Sequence, residues 1–110
     1  SFCYVDDAVE MLKQIAQESK TNGETLNLGV ESPEVTIRQL VQTCGEVVGK
    51  RLVLEDLKDM EGSPARRAPK MNRLSGLIEF RAKVPLREGI ERTWEWYRDQ
   101  VFLTSDISAE

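Results

Sequence analysis

Apolar residues recur at helical spacing in four separate stretches, and no other feature constrains the fold as tightly. Val5, Ala8, Val9, Leu12, Ile15 and Ala16 mark the first. Asp6, Asp7 and Glu10 lie near its amino end, where a helix dipole favours anions. Lys20 and Asn22-Gly23 supply the expected stop. The adjacent carboxylates Asp6 and Asp7 read as helix caps rather than a metal or acid/base pair, because neighbours on a helix point apart. A second face, Ile37, Leu40, Val41, Cys44, Val47 and Val48, starts at a capping-box pair, Thr36 with Gln39, and ends at Gly49. The spacing predicts a short helix over 72–78, turning Met71, Leu74, Leu77 and Ile78 inward. A last helix is predicted over 86–101, just after Pro85, with Leu86, Ile90, Trp94, Tyr97 and Val101 on one face. Trp94 and Tyr97 are expected in the core, and Trp96 at a domain or subunit contact.

Between these helices, residues 25–29 and 52–55 read as two short strands. Two strands are not stable as an isolated pair. They are expected to pair under covering helices or to join a sheet outside this chain. Residues 56–69 are loop-like, with Gly62, Ser63, Pro64 and Pro69. The expected class is therefore mixed α/β and helix-dominated, one domain over 1–103 followed by a disordered tail at 104–110. A domain of this size buries about 65% of its unfolded surface. If it evolved against a larger neighbour, an apolar face should stay exposed.

Charge and composition exclude several functions. The net charge of −4 does not attract polyanions. With no histidine in the chain, histidine catalysis and histidine metal ligation are excluded. Cys3 and Cys44 lack metal or redox spacing and read as reduced thiols of a cytoplasmic protein. No apolar run is long enough to span a membrane. No phosphate-cradling glycine motif is present.

One stretch stands out against the acidic background. Residues 64–76 hold Arg66, Arg67, Lys70 and Arg73 and no carboxylate. Guanidinium groups suit bidentate recognition of phosphate, so this loop is a candidate anion site. Taken alone, a solvated loop paired to acids such as Glu55 or Glu61 is the more ordinary reading. Nucleic-acid binding ranks lowest, because no stacking aromatics are interleaved with the cations.

The opening Ser1-Phe2-Cys3-Tyr4-Val5-Asp6-Asp7 resembles the x-F-x-Y-V-D-D segment of the extended short-chain dehydrogenases, the NAD-dependent epimerases and dehydratases. Four further blocks follow in that family's order. Leu26-Asn27-Leu28-Gly29 resembles its N-I-G strand end, and Val35-Thr36-Ile37 with Leu40 its V-T-I-x-E-L helix start. Ser63-Pro64-Ala65-Arg66-Arg67-Ala68-Pro69 is similar to its D-P-x-x-R-x-P loop. Leu77-Ile78-Glu79-Phe80, then Leu86-Arg87-Glu88-Gly89-Ile90, Thr93 and Trp96-Tyr97-Arg98, resemble its closing L-L-G-W…L-x-E-G-L…T…W-Y-R.

The resemblance implies a small carboxy-terminal lobe that clamps the nucleotide of a nucleotide sugar over a Rossmann domain. The family's loop arginine, which binds nucleotide phosphates or ribose, falls on Arg67, with Arg66 beside it; this reverses the ordinary reading of the loop. The chain departs from the pattern at Lys70, where the family has aspartate, at Glu79 for glycine and at Ala82 for proline. The glycine-rich cofactor loop and the Tyr-x-x-x-Lys pair do not occur here, so NAD or NADP is expected on the intact parent and not on this chain. The expected whole is a cytoplasmic, dimeric epimerase or dehydratase, of which this chain is a fragment supplying specificity rather than catalysis. The expected partners are a nucleotide-sugar substrate and an amino-terminal Rossmann domain, with neither nucleic acid nor membrane. The alternative is a stand-alone, non-catalytic binding or interaction module, which predicts no exposed apolar docking face.

Overall fold

A computed structural model describes residues 1–103. The tail expected at 104–110 lies outside the described residues. Among the described residues four α-helices occur, α1 (Val5–Gln17), α2 (Ile37–Val48), α3 (Asn72–Ser75) and α4 (Leu86–Tyr97), with a 3-10 turn at Ser19–Thr21 and a π-type turn at Arg98–Phe102. No helix among the described residues is long and apolar enough to cross a membrane.

No β-strand occurs among the described residues, which corrects the expected mixed α/β class with two short strands. The fold is helical. A strand needs a neighbour to take its backbone groups. Around 25–29 the backbone meets side chains instead: the Arg73 guanidinium donates to the Thr25 carbonyl at 3.1 Å. Leu26 and Leu28 then pack against the core as extended loop. At 52–55 the chain is exposed throughout, with Val53 at 94%. Apolar, β-favouring residues are present in both segments, but the pairing that makes a strand is not.

The chain divides into two compact units. The first joins Ser1–Val35 to Glu55–Val84. Its core is Met11, Leu74 and Ile78, with Cys3, Ile15, Leu26, Leu28, Met71, Leu77 and Phe80 partly buried around them. The stripe read from α1 is therefore rotated. Met11 and Asp7 face inward, while Val5, Val9 and Leu12 are 60, 56 and 56% exposed. The helix ends at Gln17, where the buried Thr21 hydroxyl donates to the carbonyls of Ile15 and Glu18 at 2.7 and 2.6 Å. Those two carbonyls also accept the Glu18 and Thr21 backbone N–H groups at 3.3 and 3.1 Å, so the hydroxyl reinforces a turn that the backbone already closes.

Asp7 corrects the expected capping role. The residue before α1 is Tyr4, and no side chain caps the helix there. Asp7 is instead buried, 4% exposed, and accepts from backbone N–H groups far along the chain. Lys83 N lies 3.1 and 3.2 Å from its two oxygens, and Val84 N lies 3.1 Å from Oδ2. The first turn of α1 supplies the positive end of its dipole to the same carboxylate.

The second unit joins Thr36–Leu54 to residues 85–103. Here α2 packs on α4. The capping box is formed as expected: Thr36 Oγ1 accepts from Gln39 N at 3.1 Å, and Gln39 Oε1 accepts from Thr36 N at 2.8 Å. Gly49 closes α2 at φ 76°, a left-handed conformation that glycine adopts without penalty. Gly45 is buried, and a Cβ there would sit 3.0 Å from the Lys50 carbonyl and 3.1 Å from Leu52 Cδ1, so the returning chain packs directly on the helix backbone. Tyr97 is 46% exposed and so is no core residue; Trp96 is exposed as well.

Candidate functional site

The basic loop of the first unit is stitched to residues 25–34 by contacts of four kinds. The Asn27 side-chain amide donates to the Lys70 carbonyl at 3.2 Å. The Met71 N–H donates to Glu31 Oε2 at 3.3 Å. Pro69 lies so close to Gly29 that a Cβ on Gly29 would meet Pro69 Cγ at 3.0 Å. Arg66 forms a fork with Glu34, Nε to Oε2 at 2.7 Å and Nη2 to Oε1. The Arg66 hydrogen bond holds the Glu34 carboxyl below its usual value, and the Glu34 carboxylate raises Arg66 in turn.

The four cations of the loop therefore differ. Arg66 is taken by Glu34, rather than by the Glu55 or Glu61 expected from sequence. Arg73 is taken by the Thr25 carbonyl, with Glu24 4.0 Å away. Arg67 contributes its carbonyl, which accepts from the Ser1 nitrogen at 2.7 Å, but its guanidinium has no hydrogen bond or ion pair among the described residues. The same holds for the Lys70 ammonium. Arg67 is exposed, and of the two candidate ligands it alone has no side-chain ion pair among the described residues.

Sequence reasoning missed Glu34, Glu31 and Asn27. Glu34 lies 32 positions from Arg66, and no period connects the two. The usable signal was complementarity: 64–76 has cations and no acid, while Glu31 and Glu34 sit together just before α2. A shallow hollow of about 300 Å³ in the same unit is lined by Met11, Gly29, Glu31, Met71, Phe80 and Arg81 among others, and neither Arg67 nor Lys70 borders it. Among the described residues no group of three acidic, cysteine or histidine side chains is placed to hold a metal. Cys3 and Cys44 are free and half-buried; burial, and then the Asp7 charge, push the Cys3 thiol up.

No protein-family description matches the chain, and no solved structure matches it. Curated relatives do. The chain is 29% identical over 98 residues to UDP-glucuronic acid decarboxylase 6 of Arabidopsis thaliana, which covers 89% of this chain and 28% of that protein. It is 29% identical over 105 residues to the dTDP-D-glucose 4,6-dehydratase of Homo sapiens, covering 90% of this chain and 29% of the relative. It is 28% identical over 97 residues to UDP-glucuronic acid decarboxylase 1 of Danio rerio, covering 88% and 22%. The chain thus spans less than a third of the length of these relatives.

Proposed function

We propose, from the premise that this chain is homologous to the NAD-dependent epimerases and dehydratases of nucleotide sugars, that it is the substrate-binding lobe of such an enzyme. Its work is to hold the nucleotide end of the sugar, and hydride transfer is carried out by another part of the protein. The observation that carries this reading is the unpartnered Arg67 guanidinium at the position of the family's nucleotide-binding arginine, on a loop whose neighbours are pinned down. Arg66 stands beside it as part of the loop's support. A planar fork at that point suits phosphate oxygens or a ribose hydroxyl.

Binding energy supplied remotely from the reacting carbon raises specificity and orients the sugar for chemistry elsewhere. The exposed stripe of Val5, Val9 and Leu12 also favours a lobe over a stand-alone module, since such a module has no reason to display it. The residues here do not fit a nicotinamide dinucleotide, because no strand among the described residues leads through a glycine-rich turn into a helix. No cofactor step is assigned to them. In the intact, dimeric protein the NAD or NADP site belongs to a Rossmann part. The two free thiols suit a cytoplasmic setting.

The test is nucleotide binding. In the intact protein Arg67→Ala is expected to weaken UDP or dTDP binding by about 1–3 kcal/mol, the worth of a charge-assisted bond. Calorimetric titration measures it. Unchanged affinity removes Arg67 from the site.

A further inference from the structure

We infer that Glu34 is a positioning residue: by clamping Arg66 it fixes the basic loop so that Arg67, and not Arg66, is presented to an anionic ligand. This rests on the proposed contact between Arg67 and a nucleotide diphosphate. The Glu34–Arg66 fork fixes the plane of the Arg66 guanidinium, because both carboxylate oxygens are used. On the other side of Arg67 the chain is held by Pro69 against Gly29 and by Asn27 on the Lys70 carbonyl. Arg67 thus sits between two anchored points.

Charge divides the two arginines further. An anion approaching Arg66 meets the Glu34 carboxylate already bound there, with Glu31 also close enough to act on Arg66. Arg67 carries no such counter-ion among the described residues. Glu34 therefore neutralises one cation, keeps it from competing for the ligand, and lowers the ordering cost that a loose loop pays on binding. Both partners are well exposed, with side chains 73 and 41% accessible, so the pair contributes little to global stability. That separates positioning from a merely structural role.

The experiment titrates UDP and dTDP into the intact protein and into Glu34→Gln, Arg67→Ala and the charge swap Glu34→Arg/Arg66→Glu, with the thermal midpoint recorded for each. Glu34→Gln is expected to bind about three- to tenfold more weakly, with its midpoint unchanged. The swap is expected to recover most of that loss. If Arg67→Ala weakens binding while Glu34→Gln does not, the positioning role is overturned and the Arg67 contact stands. Tighter binding by Glu34→Gln also overturns it, by making Arg66 a ligand held in check. A swap as weak as Glu34→Gln alone does the same. If Arg67→Ala binds as the parent does, the positioning role and the Arg67 contact both fall.

Discussion

In the first unit polar groups are satisfied across long stretches of chain, whereas in the second they are satisfied almost within a helical turn. Asp7 reaches Lys83 and Val84 over 76 and 77 positions, Arg73 reaches Thr25 over 48, and Asn27 reaches Lys70 over 43. In the second unit Thr36 and Gln39 cap α2, Thr43 bonds Gln39 four residues back, and Thr93 bonds Gly89 in the same way. A longer contact, Arg87 to Glu46 at 2.6 Å, joins α4 to α2, and both side chains are more than half exposed. The first unit concentrates its order in a few non-local bonds, around a core of only three buried apolar side chains. The second spreads it over many local ones. Loss of a single bond should therefore cost the first unit more.

Asp7 is where that difference is sharpest. Asp7→Ala leaves two partly buried N–H groups without an acceptor, and a loss of about 1–3 kcal/mol is expected. Urea denaturation measures the loss, and hydrogen exchange at Lys83 and Val84 locates it. Asp7→Asn sharpens the argument. Both N–H groups lie within reach of Oδ2, so an amide with its oxygen there keeps both bonds, but it turns an NH2 toward Lys83 N. Its cost should fall between those of the parent and the alanine variant. If alanine is as harmless as asparagine, the long-range bonds do not hold the first unit, and the contrast with the second collapses.

The counterpart in the second unit is Thr36→Ala, which breaks one arm of the capping box. The cap is exposed and α2 keeps its remaining hydrogen bonds, so about 0.5–1 kcal/mol is expected, read as a shift in the same urea midpoint. A larger effect than that of Asp7→Ala would invert the ranking of the two units.

The same contrast explains what the sequence made legible. The capping box, the glycine stop of α2 and the existence of four helices rest on residues within a few positions of one another, and periodicity reports such relations directly. Asp7 looked like a cap because an acid in a first turn ordinarily is one; its true acceptor role needs Lys83 and Val84, which no local rule connects to it. The rotation of α1 was hidden for a similar reason. Met11 and Asp7 are inside because Leu74, Ile78 and the 83–84 backbone lie there, while Val5, Val9 and Leu12 form the better apolar stripe on paper. The two strands failed on the partner rather than on propensity. In the basic loop the candidate residues were legible by charge and by resemblance, yet the division between Arg66 and Arg67 depended on Glu34, which only the folded chain brings near.

Glu34 gives the smallest and most conditional effect, and it tests whether a non-local bond at the surface behaves like one in the interior. Its carboxyl titrates lower in the folded chain than in the unfolded one, chiefly because Arg66 donates to the ionised form. A carboxyl lowered by folding favours the folded arrangement fully above its unfolded value, and the advantage is lost as pH falls through the folded value. The clamp should therefore be intact at neutral pH and released below the ordinary carboxylate range. Hydrogen exchange of the backbone amides at 66–68, compared between the parent and Glu34→Gln, is expected to differ at neutral pH and to converge once Glu34 is protonated, after correction for the intrinsic pH dependence of exchange. Salt should narrow the gap at neutral pH too, because the pair is exposed and screened. A difference that persists unchanged into acid would mean that the loop is held by Asn27, Glu31 and the Pro69–Gly29 contact alone. The surface fork would then be an accompaniment to the loop's position, unlike the buried carboxylate of Asp7.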